Sequence, residues 1–157
     1  MKFIADSMLG RLARWLRLLG HDTLYYPHIE KSLLLKIARE ESRILLTRDT
    51  RLVKIRGLQN FLLLRENNPF KQLRSVIKAF RLDPEDKSGS PVILSRCAVC
   101  NAELNNIPKE KIKNVVPEYV YKTSDIFRQC QECGKLYWKG THPEKFRKKL
   151  FEILQLI

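Results

Sequence analysis

Lys2-Phe3-Ile4-Ala5-Asp6-Ser7-Met8-Leu9-Gly10-Arg11-Leu12-Ala13-Arg14-Trp15-Leu16-Arg17-Leu18-Leu19-Gly20 opens the chain and decides how the rest is read. Phe3 to Ala5 is a short apolar strand that ends in a carboxylate, Asp6. Leu9, Leu12, Ala13, Leu16 and Leu19 recur at helical spacing, so a helix starts directly behind the strand and Gly20 stops it. Arg11, Arg14 and Arg17 recur every third residue and form a second stripe on that helix. A carboxylate at the C-terminal end of a first strand stands where open α/β sheets place their chemistry. The arginine stripe beside it suits a polyanionic substrate. The competing reading makes Asp6 the N-cap of the helix and the arginines a solvated face.

The same grammar repeats downstream. His21 to Tyr26 reads as a turn and a short second strand, and Ser32 as the N-cap of a helix over residues 33–41. Ile44-Leu45-Leu46 is fully apolar, as a central parallel strand should be, and it runs into Thr47-Arg48-Asp49. A helix is expected over residues 50–55, with Gly57 ending it. Phe61 to Leu64 is a fourth strand leading to Glu66, and Pro69 opens a helix with Leu73, Val76, Ile77 and Phe80 inward. The βαβα alternation predicts an α/β, Rossmann-like parallel sheet over residues 1–86, with Asp6, Asp49 and Glu66 gathered at one edge. Residues 87–91 fall in a charged stretch with Pro, Gly and Ser and read as a linker. A second unit follows over 92–141, and residues 142–157 have the pattern of a basic amphipathic helix.

The 157 residues carry 30 Lys and Arg against 17 Asp and Glu, a net charge of +13. Both halves share the excess, so both can touch one long polyanion, and nucleic acid is the most economical partner. An anionic membrane surface fits less well, because no basic amphipathic segment is isolated from the fold. No apolar run reaches the ~18 residues of a membrane span. The first residues show no secretory pattern, which points to the cytoplasm.

Two groups of residues can carry chemistry. Asp6 and Asp49 are acids at strand ends, and phosphodiester hydrolysis is served by carboxylates that hold Mg²⁺ or Mn²⁺. Two acids are few for that work; Glu30 and Glu66 are the candidates to join them, with Asp22 and Glu40 behind. Arg48, Arg11, Arg14 and Arg17 can position a phosphate or make ordinary ion pairs.

The second group is Cys97-x-x-Cys100 with Cys130-x-x-Cys133, separated by 29 residues that leave room for a β-hairpin around residues 115–121. Two such knuckles close a tetrahedral, structural Cys₄ zinc site. A redox dithiol and an iron–sulfur centre are the alternatives. Tyr137 and Trp138, interleaved with Lys135, Lys139 and His142, either stack on bases or cover the knuckle.

The opening stretch, Arg43-Ile44-Leu45-Leu46-Thr47-Arg48-Asp49, and Cys97-x-x-Cys100-Asn101 with Cys130-x-x-Cys133-Gly134-x-x-Tyr137-Trp138-x-Gly140-x-His142 together resemble the Mut-seven C-terminal RNase family. The resemblance covers nearly the whole chain. It implies a PIN-like nuclease fold followed by a zinc ribbon, and a metal-dependent ribonuclease. It carries Asp6 and Asp49 over as metal-binding acids and the four cysteines as zinc ligands. The chain departs from fuller PIN nucleases at the start of the helix before the third strand. Those proteins have an acid there, and this chain has Lys31-Ser32 beside Glu30. The expectation is an endoribonuclease using Mg²⁺ or Mn²⁺, with the ribbon and tail gripping RNA. The rival is a non-catalytic RNA-binding protein of RNA processing or translation.

Overall fold

The computed structural model describes residues 1–82, 95–138, 148 and 152. Four strands, β1 (Lys2–Ala5), β2 (Asp22–Tyr25), β3 (Ile44–Thr47) and β4 (Phe61–Leu63), form a parallel sheet in the order β2-β1-β3-β4. The connections are α1 (Gly10–Leu18), α2 (Lys31–Glu40) and a single 3₁₀ turn at Leu52–Lys54, and α3 (Pro69–Phe80) follows β4. Alternation along the strands splits the core. Phe3, Ala5 and Leu46 face α1 and α3 with Leu12, Leu16, Leu73 and Val76. Ile4 and Leu45 face α2 and the 3₁₀ turn, with Leu34, Ala38 and Leu52. Both layers are covered, which is why the central strands read as unbroken apolar runs.

Local details depart from the sequence reading. Ser32 is not the N-cap of α2; Glu30 holds that position and its carboxylate makes no capping bond. The helix expected after Asp49 shrinks to the 3₁₀ turn, because the chain must reach β4 within a few residues. Asp6 does not cap α1: its N-cap is Leu9, and Asp6 instead accepts the Met8 N–H in a tight turn. Gly10 opens α1 under the ring of Tyr25, where a Cβ would stand 2.8 Å from the phenol.

Residues 95–138 hold a second, antiparallel sheet, β5 (Leu104–Asn106), β6 (Phe127–Cys130) and β7 (Leu136–Trp138), in the order β5-β6-β7. The hairpin expected near residues 115–121 is absent. A 3₁₀ turn (Lys109–Ile112) and α4 (Glu118–Thr123) stand there and drop Ile112 and Val116 onto Phe127 and Trp138. The expected linker, Lys139, His142 and the terminal helix lie outside the described residues, apart from the exposed Lys148 and Glu152. Among the described residues, no helix is long and apolar enough to cross a membrane.

One half-buried group is expected to make the α/β sheet sensitive to acid. The His21 ring stands edge-on to Phe3, centroids 5.9 Å apart, and its Nε2 is buried with no hydrogen-bond partner among the described residues. Burial first, and the nearby N-terminal amine second, push its pKa down from 6.5 to about 4. An unfolded chain takes up a proton on this ring below pH 6.5, whereas the folded chain waits until about 4. Stability is therefore full above that window and falls across it as pH drops, by up to ~3 kcal/mol. Urea unfolding at pH 7 and pH 4.5 should show the loss, and His21→Gln should flatten it.

Candidate active site

Parallel pairing sets the acids side by side. Ala5 is in register with Leu46, so Asp6, just past the end of β1, stands beside Thr47, the last residue of β3. The Asp6 side chain is buried and fully engaged. Its Oδ1 accepts the Met8 N–H at 2.9 Å; its Oδ2 accepts the Thr47 hydroxyl at 2.5 Å and the Arg48 N–H at 2.8 Å. The same Thr47 oxygen accepts the Asp49 N–H at 3.0 Å. One hydroxyl thus ties the first acid to the backbone of the second.

Asp49 faces outward. Its Oδ1 accepts the Arg51 N–H at 2.8 Å, with the Arg51 guanidinium at 3.3 Å, and its Oδ2 takes the Lys31 ammonium at 2.6 Å. The Lys31 contact, then the Arg51 backbone and side chain, hold the carboxyl well below the usual range. It is an ion at any working pH. Thr47, Lys31 and Arg51 are the members of this constellation that sequence reasoning missed. A β3 threonine reads as core, and a lysine in the first turn of a helix reads as solvated surface.

The other expected residues scatter. Glu30 is exposed at the start of α2. The Glu66 carboxylate accepts the Ser75 hydroxyl at 3.1 Å, which ties it to α3. Among the described residues these acids do not join Asp6 and Asp49 in a group of three or more close ligands. Arg48 reaches Asn67 with its guanidinium, while its Nε is buried without a partner among the described residues. Arg11 and Arg14 are exposed on α1. Arg17 corrects the expectation of a phosphate-binding stripe. It is buried; its Nε donates to Thr23 O at 2.8 Å and its Nη1 to Val99 O at 2.7 Å and Ala98 O at 3.2 Å. Asp22 and Glu40 are likewise engaged away from the acids, with Arg43 and Lys36.

Those carbonyls belong to the first cysteine knuckle. The four Sγ atoms lie within 4.8 Å of one another, with Cys97–Cys133 at 3.5 Å and Cys100–Cys130 at 3.3 Å, and no disulfide forms. Tetrahedral Zn–S bonds of ~2.3 Å put sulfurs ~3.8 Å apart, so the donor set fits a Cys₄ ion. The Tyr137 hydroxyl accepts the Ala98 N–H at 3.0 Å and stands 3.1 Å from Cys97 Sγ, within hydrogen-bond reach. Burial opposes ionisation of Cys97, but that hydroxyl and the Cys100 and Val99 amides bring its pKa down to about 6. Tyr137 therefore covers the knuckle, and Trp138 packs into the ribbon core.

Both knuckles end on a left-handed residue, Asn101 at φ 72° and Gly134 at φ 71°. Glycine takes that conformation freely and asparagine tolerates it. Asn101 uses its side chain: Oδ1 accepts the Thr23 N–H at 2.9 Å, and Nδ2 donates to Asp22 Oδ1 at 2.8 Å. The knuckle thereby covers the edge strand β2.

For a divalent ion near Asp6 and Asp49 the donor set is hard oxygen from two carboxylates. Mg²⁺ is commonly held by one or two carboxylates plus water and substrate phosphate. Asp6 and Asp49 are the two carboxylates this edge offers to such an ion. A family model, the Mut7-C RNAse domain, matches residues 1–150. No curated protein and no solved structure matches the chain.

Proposed function

The chain belongs to the Mut7-C RNAse domain family, and from that premise we propose that it is a ribonuclease that hydrolyses phosphodiester bonds at the sheet edge bearing Asp6 and Asp49. The observation that carries this reading is the bridge from the Asp6 carboxylate through the Thr47 hydroxyl to the Asp49 backbone, which ties the two acids together at the C-terminal ends of adjacent parallel strands.

Asp6 and Asp49 would hold one Mg²⁺ or Mn²⁺, which when bound supplies an activated water and neutralises phosphate charge. Thr47 and the Arg48 amide keep the Asp6 oxygens aimed, and Arg51 keeps Asp49 turned toward the same edge. Asp49 is too weak a base in this setting to be the proton acceptor; its work is to bind and orient. Arg11 and Arg14, exposed on the helix that starts beside Asp6, and Arg48 would position the RNA backbone. In the reaction a water oxygen bonds to phosphorus as the bond to the leaving ribose oxygen breaks. The water's proton passes to solvent and the leaving oxygen takes one up.

Glu30 and Glu66 have no part in this reading. The four cysteines would hold structural zinc, and the ribbon, with Lys111, Lys113 and Lys135 exposed, would grip RNA away from the cut.

End-labelled structured RNA, incubated with Mn²⁺, Mg²⁺ or EDTA, tests the proposal. Wild type should cut with metal, and Asp49→Asn should cut at least ~100-fold more slowly while keeping its RNA affinity. Equal cutting by both proteins would place the activity elsewhere. No cutting by either, with salt-sensitive binding, would leave a non-catalytic RNA-binding protein.

A further inference from the structure

We propose that the ammonium of Lys31 takes the place of a second cation in this site, resting on Asp49 and meeting a non-bridging phosphate oxygen of the RNA. This rests on the ribonuclease reading above and makes the site a one-ion site.

The contact itself is short, Lys31 Nζ to Asp49 Oδ2 at 2.6 Å, and it is made across the sheet edge from the start of α2. Lys31 is not needed to keep Asp49 in place. The Arg51 N–H already holds Oδ1, and Thr47 already holds the Asp49 amide. The pair is not a stability device either. Lys31 is 57% exposed, and exposed ion pairs contribute little.

Its location is also locally unfavourable. Lys31 is the first residue of α2, where the helix end carries partial positive charge and an acid would be preferred; the first turn holds no acid. A cation kept there against the helix has its counterpart in Asp49. Of its three N–H donors one is spent on Asp49 Oδ2, and the side chain opens to solvent, where a phosphate would arrive. An ammonium on one oxygen of Asp49 also repels a further divalent ion from that oxygen. A positive charge thus stands where a further acid beside Asp6 and Asp49 was expected.

The test uses the zinc-loaded full chain and Mn²⁺ as probe, read first without RNA by electron paramagnetic resonance. Wild type should bind one Mn²⁺ at the acidic edge. Lys31→Glu, which restores a carboxylate at that place, should bind Mn²⁺ at least ~10-fold more tightly or take a second ion. Unchanged affinity and stoichiometry in Lys31→Glu would overturn the proposal. Cleavage is read second. Lys31→Met should lower kcat by ~100-fold with little change in KM, and Lys31→Arg should recover most of it. A purely structural ion pair would leave kcat at the wild-type value in Lys31→Met, and that result would also overturn the proposal. Should wild type cut no RNA at all, the ribonuclease reading fails, while the Mn²⁺ titration still decides whether Lys31 stands in for a cation.

Discussion

Stripping the metal from the four cysteines is expected to unfold residues 95–138 and to loosen the parallel sheet with them. The ribbon has a small apolar core, Ile112, Val116 and Phe127, and its strands are three or four residues long. Units of that size depend on the ion for their fold, and structural zinc contributes ~10–16 kcal/mol in comparable peptides. The loss does not stop at the ribbon. Without the knuckle, the buried Arg17 guanidinium loses the Ala98 and Val99 carbonyls, and the Thr23 amide loses Asn101. A buried cation that keeps only the Thr23 carbonyl is costly, and an uncovered edge strand is an aggregation site. A strong zinc chelator should therefore lower the thermal midpoint of the whole chain and speed hydrogen exchange at Thr23. Asn101→Gly keeps the left-handed backbone and removes the clasp, so its α/β sheet should already be destabilised with zinc in place. A sheet that melts at one temperature with and without zinc would refute the coupling. The coupling also bears on the nuclease assay proposed above: loss of cutting in EDTA would follow from an emptied knuckle as well as from an emptied acidic edge. Circular dichroism on the same samples separates the two causes.

Arg43→Met should cost about 1–3 kcal/mol, because it leaves the half-buried Asp22 carboxylate short of its charged partner. Arg43 is 5% exposed and reaches three elements at once: Asp22 through a two-pronged contact at 2.7 and 3.2 Å, Phe3 O at 3.2 Å, and Glu41 at 2.7 Å. Its loss leaves the Asp22 carboxylate with Asn101 as its remaining side-chain partner. Burial works against ionised Asp22, yet the bonds from Arg43 and Asn101 outweigh it and lower its pKa. A depressed carboxylate contributes stability that is present above its unfolded pKa near 4 and is lost as pH falls through the lower folded value. The acid-side loss from Asp22 should vanish in Arg43→Met, leaving the His21 contribution. Chemical denaturation of wild type, Arg43→Met and the double variant Arg43→Met/Asp22→Leu checks this. The double variant should recover part of the loss, since it removes the stranded charge.

The sequence carried the layers of the fold because periodicity is a local property. A strand buried on both faces must be apolar throughout, and Ile44-Leu45-Leu46 is; a helix packed on one face must repeat at three and four, and Leu9 to Leu19 does. The cysteine pairs were legible for the same reason, since two residues in a tight knuckle fix their own geometry. Residues 115–121 read as a hairpin in the sequence because Val115-Val116 and Tyr119-Val120-Tyr121 have strand propensity, and contacts with Phe127 and Trp138 override it.

Asp6 and Asp49 were visible as strand ends, and parallel order then fixed that they share an edge. Their partners were not visible. Thr47, Lys31 and Arg51 matter through contacts between strand ends and a helix start, which no spacing along the chain encodes. Arg17 shows the limit from the other side. Its position in the arginine stripe predicted a solvent-facing phosphate ligand, but a helix stripe faces solvent only if nothing else is laid over it, and the ribbon, 81 residues away, is. Amino-acid pattern thus determined the sheet, its covered faces, the acidic edge and the metal-ligating cysteines. Tertiary structure decided which charges are spent inside the protein and which stay free for a substrate, because that depends on where distant segments meet.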